Sequence, residues 1–166
     1  CNIYCNDAVI RGRLHGGKAC VKNILYVTQR LGNEGATPTE IILGQDPDIY
    51  RKIKKTEDEV QRLTALQEKY QALAAKTEHL AAKYMPLQER IEAKLRVAVR
   101  MLHYYKTEAD EHANFARCRV IVPGVIMPGV RISIGDATFW AEQSYSNVSF
   151  YLEGDRVAMH SPAVGS

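Results

Sequence analysis

The stretch TEIILGQDPD, residues 39–48, separates two kinds of sequence. Its first half closes on Ile41–Leu43, a short apolar piece followed by Gly44. Its second half reads as the start of a helix. Asp46 and Asp48 complement the positive N-terminal end of a helix, and Pro47 is tolerated in a first turn. Residues 1–44 lie on the β side of this boundary, and residues from about 46 to 112 on the helical side.

On the β side the chain is rich in Gly, Asn and β-branched residues. Short apolar pieces recur at Ile3–Cys5, Val9–Ile10, Ala19–Val21 and Ile24–Val27. Turn signals separate them: Asn6-Asp7, Gly16-Gly17, Lys22-Asn23, Gly32-Asn33 and Gly35. Such strands suit a β-sandwich or a β-solenoid. They are too short to span a sandwich core alone, which favours the solenoid, where each rung buries its few inward residues on its neighbours.

On the helical side Gly nearly disappears, and Ala, Glu, Lys, Gln and Leu dominate. Ile53, Thr56, Val60, Leu63, Leu66, Tyr70, Leu73, Thr77, Leu80 and Tyr84 step by three or four, a heptad-like seam. Proline removes a helical hydrogen bond and clashes with the preceding turn, so Met85-Pro86 is the expected fold-back. A second seam follows in Leu87, Ile91, Leu95, Ala98, Leu102 and Tyr105. The expectation is an antiparallel coiled-coil hairpin of two helices, about 50 Å and 35 Å long. A kinked continuous helix, partnered by a second copy, fits the same periodicity. The hairpin is preferred because it returns the chain to where strands resume. Those strands are Arg119–Val122, Gly129–Ile134, Ala137–Glu142 and Val148–Leu152, with a turn at Glu153-Gly154-Asp155.

The bulk numbers are those of an ordinary folded protein. The 166 residues are 46% hydrophobic and 25% charged. A net charge of +3 is too small to argue for nucleic acid or an anionic membrane without a concentrated patch. No apolar run is long enough for a membrane-spanning helix. The chain starts on Cys1 in mid-pattern, and is read as a piece of a longer protein.

No catalytic, cofactor or metal motif is found. Cys1, Cys5, Cys20 and Cys118 lack zinc or redox spacing; Cys5, Cys20 and Cys118 sit next to apolar or β-branched residues, and the cysteines read as buried reduced thiols, with a disulfide pair or metal site as the alternative. His15, His79, His103, His112 and His160 are scattered. Gly12–Lys18 lacks the order of a phosphate-binding loop, and no GxSxG or HExxH occurs. The one charge run, Arg51, Lys52, Lys54 and Lys55, reads first as a solvated helical face, or otherwise as a patch for an acidic partner or membrane surface. A β-helix enzyme is the least favoured class. Neither a sustained hexapeptide register nor a strand face rich in Asp and Arg is present.

Several strings, taken in order, resemble a known family. Gly12-Arg-Leu-His-Gly-Gly-Lys-Ala-Cys20 is similar to a glycine-rich rung, and Leu31-Gly32 with Thr39–Gly44 to the lead into a charged coiled coil. Val120–Gly135, with its PGVRISIG ending, and Asn147–Asp155 resemble the family's later strands. The family is FapA (DUF342), and the resemblance covers essentially the whole chain. It implies one right-handed parallel β-helix interrupted by a coiled-coil hairpin: rungs over 1–44, hairpin over 45–112, β-helix continuation and closing strands over 113–160, and a tail at 161–166. It also implies a cytoplasmic bacterial scaffold of flagellar assembly, placed at the cell pole, with no catalytic residues.

The structural motif positions are Gly12, Gly16, Gly17, Gly32, Gly44, Pro128, Gly129, Val130, Ile132, Ile134 and Gly135. The glycines are expected where corners need positive φ or close approach, and Pro128-Gly129 as a type II turn. Partner binding is expected at the hairpin tip, near Lys83–Arg90, through Tyr84, Met85, Leu87 and Arg90, or at the open solenoid edge. The partners are flagellar or signalling proteins, or a second copy of the chain; no cofactor, nucleic acid or membrane span is expected. The rival function is a regulatory module that sequesters a cytosolic signalling protein.

Overall fold

A computed structural model of the chain describes residues 2–35 and 37–162. Cys1, Ala36 and the last four tail positions lie outside those residues. The chain divides into two compact units: residues 1–48 with 112–166, and residues 49–111.

The first unit is built from strands stacked in parallel. β1 (Asn2–Ile10) lies on β3 (Gly17–Val27), and the short β2 (Arg13–Leu14) lies on β4 (Arg30–Leu31). β5 (Thr39–Leu43) then covers the first half of β3, and β6 (Arg119–Ile126) its second half. β7 (Val130–Ile134) closes the stack on β5. Within β3, only Lys22 and Asn23 separate Val21, which pairs with Leu43, from Ile24, which pairs with Arg119. In the next rung the same corner is occupied by residues 44–118. One rung therefore continues on both sides of a long insertion.

Stacking puts like residues in columns, and the columns are the core. Ala19, Ile41 and Ile132 align, as do Val21, Leu43 and Ile134, and Leu25, Val120 and Phe150. All of these are buried to 2% exposure or less. Alternation along β5 points Thr39, Ile41 and Leu43 inward. Outside, Lys18 pairs with Glu40 at 2.9 Å across adjacent rungs.

The parallel order does not extend to the last strands. β8 (Ala137–Trp140) folds back on β7, β9 (Tyr145–Glu153) runs antiparallel on β6, and β10 (Arg156–His160) antiparallel on β9. Two-residue turns at Gly135-Asp136 and Gly154-Asp155 explain this, because parallel neighbours need a long crossover that two residues cannot supply. Gly135 thus sits in a hairpin turn, with φ 61°, and not at a rung corner. Phe139 packs on Phe150 at 4.8 Å and on Tyr145 at 6.0 Å beneath these closing strands.

At the insertion, Gly44 donates its N–H to the Val21 and Lys22 carbonyls. Its φ is +89°, and a Cβ there would stand 2.3 Å from the Phe115 ring. Cys118 returns the chain, with its Sγ 3.4 Å from the Lys22 carbonyl oxygen.

The helical unit corrects the expected fold-back. α1 (Pro47–Ala74) starts with Asp46 Oδ1 accepting the Asp48 N–H at 3.0 Å, an N-cap ahead of Pro47. The chain turns at residues 75–77, not at Met85-Pro86, and α2 (Glu78–His112) carries Pro86 inside it. Thr77 caps α2, its Oγ1 accepting the Leu80 N–H at 3.4 Å. Pro86 is exposed on the ninth residue of a long helix, where packing elsewhere outweighs one lost hydrogen bond.

With the turn at 75–77, α1 is 28 residues and α2 35, about 42 Å and 52 Å long. They pack antiparallel. Ile49 and Ile53 cluster with Leu102, Tyr105 and Ala109. Leu63 clusters with Ile91, Leu95 and Ala98. Near the turn the Tyr70 and Tyr84 rings lie 5.4 Å apart. Along α2 the inward positions are Tyr84, Gln88, Ile91, Leu95, Ala98, Leu102, Tyr105 and Ala109, in alternating steps of four and three. Leu87 is exposed, and Gln88 takes the position expected for it.

Candidate functional site

The helical unit leaves apolar side chains on its outside. Val97 is 58% exposed, Met101 44% and Tyr104 63%, whereas the exposed Val99 lies on the other side of α2. A helix that presents such residues beyond its buried seam has a second face unaccounted for by its own fold.

Part of that face is a groove of about 610 Å³ between α1 and α2. Ala93, Val97 and Met101, spaced four apart, line it from α2, and Leu63 and Ala98 form its floor. Lys52, Lys55, Thr56 and Glu59 border it from α1, with Lys94 and Tyr105 opposite. The Lys52 Nζ lies 5.6 Å from the centre of the Tyr105 ring. Glu59 is held by Arg62 through two bonds, 2.7 and 2.9 Å, which keep its carboxyl below the ordinary pKa.

Glu57 ties the helices together. Its carboxylate accepts from Lys54 at 3.0 Å and from Lys106 at 3.1 Å. The Lys54 bond holds its pKa below the usual value against partial burial, and Lys106 adds to the lowering. The basic run is thus divided: Lys54 serves the fold, whereas Lys52 and Lys55 face the groove.

The expected contact residues do not form the tip of the unit. Tyr84 turns inward against Tyr70, whereas Met85 (55% exposed), Leu87 (39%) and Arg90 lie on the outside of α2, beyond the 75–77 turn. The motif glycines fall between elements or, for Gly17, at the start of β3, and Gly12, Gly16, Gly17, Gly32, Gly44, Gly129 and Gly135 all have positive φ. Val130, Ile132 and Ile134 point into the core, next to Pro128 in the preceding turn. One position escaped the sequence reading. A Cβ on Gly124 would lie 1.8 Å from the Gln29 carbonyl oxygen, so the rungs meet there backbone to backbone. The signal was present as a second Pro-Gly pair, Pro123-Gly124.

Nothing in the described residues gathers reactive groups. No three His, Cys, Asp or Glu side chains among them come together as a metal site, and all five histidines are exposed. Cys5 and Cys118 are free thiols, and burial pushes the pKa of the Cys118 thiol up to about 11. No helix is long and apolar enough to cross a membrane among these residues.

Comparison with known proteins adds one result. The family model for the Flagellar Assembly Protein A beta solenoid domain matches residues 1–157. No curated protein and no solved structure matches the chain. Nearly the whole chain, stacked rungs and helical insertion together, falls within that one match, and it belongs to the FapA family.

Proposed function

We propose that this chain is a non-enzymatic scaffold of bacterial flagellar assembly that works through protein–protein contacts made by its helical unit. The observation that carries the reading is the interrupted rung. Val21–Ile24 spans with two residues the corner where Leu43 and Arg119 are joined through residues 44–118. An insertion at a corner leaves the stacked columns intact, so the helices are not needed to complete the β core. Surface helices with an uncovered apolar face are suited to binding.

In this reading the β unit is a right-handed parallel β-helix, the sense that parallel crossovers nearly always take. The helices form an antiparallel coiled-coil hairpin, in keeping with the steps of four and three on the inward positions. The scaffold acts in the cytoplasm, at the pole where a flagellum is built. Met85, Leu87 and Arg90 extend the available surface toward the 75–77 turn, while Tyr84 holds that end of the helices together.

The test is made in cells carrying the full-length protein. Residues 49–111 are replaced by a short Gly-Ser linker, and flagella are counted and located by electron microscopy. Lost or misplaced flagella, with the excised protein at normal abundance, are expected. Normal flagellation would overturn the reading.

A further inference from the structure

We propose that the groove between α1 and α2 is a docking site for an acidic amphipathic helix of a partner protein. This rests on the reading of the helical unit as the binding element and names the chemistry of what it binds.

Three observations carry it. The first is shape. The groove follows two parallel stripes, Lys52–Leu63 on α1 and Ala93–Tyr105 on α2, each about 17 Å long at the helical rise. A concave channel of that length takes the ridge of a third helix of three or so turns. Ala93 and Ala98 keep its wall and floor shallow enough for close approach.

The second is surface left uncovered. Val97 and Met101 stand side by side on the groove wall at 58% and 44% exposure, while Leu63 and Ala98 beneath them are buried. In helix-in-groove recognition an amphipathic helix lays its apolar face into a hydrophobic groove, and Val97 and Met101 supply such a wall.

The third is charge. The residues that line the groove include three lysines, Lys52, Lys55 and Lys94, against one carboxylate, Glu59. On its rim, Lys55 and Lys94 form no salt bridge among the described residues; Glu59 is bound by Arg62, with the Lys94 charge acting on it as well. A partner helix with Asp or Glu beside its apolar stripe meets these lysines with complementary charge. A second copy docking symmetrically would oppose lysine to lysine, and a flat membrane would not fill a concave channel.

The purified chain is titrated against two fluorescein-labelled helical peptides of about 16 residues. Both carry Leu at steps of three and four; one is flanked by Glu, the other by Lys at the same positions. Fluorescence anisotropy reads binding, with phosphatidylglycerol vesicles as a third probe. The Glu peptide is expected to bind at micromolar concentration, more weakly as salt rises, and at least roughly tenfold tighter than the Lys peptide. Lys52→Glu with Lys55→Glu and Lys94→Glu should reverse that preference. Val97→Asp, at an exposed position, should remove binding of both peptides with the far-UV spectrum unchanged. Equal binding of the two peptides, or binding of neither, overturns the proposal. So does a dimer that Val97→Asp dissociates, or vesicle binding alone. Loss of flagella on excision together with failure here would leave the binding role standing and remove only the acidic helix.

Discussion

Gly124 and Gly129 follow identical prolines five residues apart, yet they answer different demands. Gly129 has φ +85°, and a Cβ there would meet no atom within 4 Å, so only backbone conformation requires glycine. Gly124 is outside the positive-φ set, but a Cβ there would run into the Gln29 backbone, which cannot step aside as a side chain would. Gly129→Ala should therefore cost about 1–2 kcal/mol, and Gly124→Ala more than about 3 kcal/mol. Urea midpoints of the two variants check the ranking, and equal losses would contradict it. Gly124 lies within β6, at the register shift between Val122 and Val125, and the sequence marks only Pro128-Gly129 as a turn. It does not show which one another rung approaches, because that contact joins residues far apart in the chain.

Cys118 carries a residue-scale prediction in pH. Burial raises its thiol from the ordinary value near 9 to about 11, with Arg119 opposing the shift. Between those values the unfolded chain has released a proton that the folded chain still holds. Its contribution to stability is whole below about pH 9 and is lost as pH rises toward 11. The difference in denaturation midpoint between wild type and Cys118→Ala should shrink across that window. A difference that stays constant from pH 8 to 11 would contradict it. Cys118 reads in sequence as a small buried hydrophobe, and the structure buries it completely.

Among the elements, the two helices show where pattern reading succeeds and where it fails. The start at Asp46-Pro47 and the seam from Ile53 to Leu73 are written in local chemistry and period. The turn at 75–77 is not, since it contains neither Gly nor Pro. Its length also keeps Tyr70, Leu73, Thr77, Leu80 and Tyr84 in apparent phase, so an unbroken period conceals a reversal of the chain. Pro86 then stands out as the only breaker, although it is an exposed residue within α2. The two placements differ in consequence. Here Pro86→Ala restores a helical hydrogen bond and should raise the stability of the helical unit, by up to about 3 kcal/mol. Thermal melts followed at 222 nm measure it. A fall in stability, or conversion to one continuous helix, would point to Pro86 as the turn. The groove was equally hidden. The basic run at Arg51–Lys55 is visible in sequence, but its meeting with Val97 and Met101 depends on which stripes face each other.

For the molecule as a whole, the family and the order β, helical, β were legible from strings such as PGVRISIG and from the two changes of period. The antiparallel closing strands were not, because alternation is the same in parallel and antiparallel strands and only the two-residue turns distinguish them. The central claim is that the β unit continues through the insertion and does not depend on it. The measurement that tests it most directly is a thermal melt of the protein lacking residues 49–111, joined by a short Gly-Ser linker, followed by far-UV circular dichroism. A β-type spectrum that unfolds in one cooperative step is the predicted result. A protein without a cooperative transition would mean that the rungs need the helices to fold, and would contradict the account.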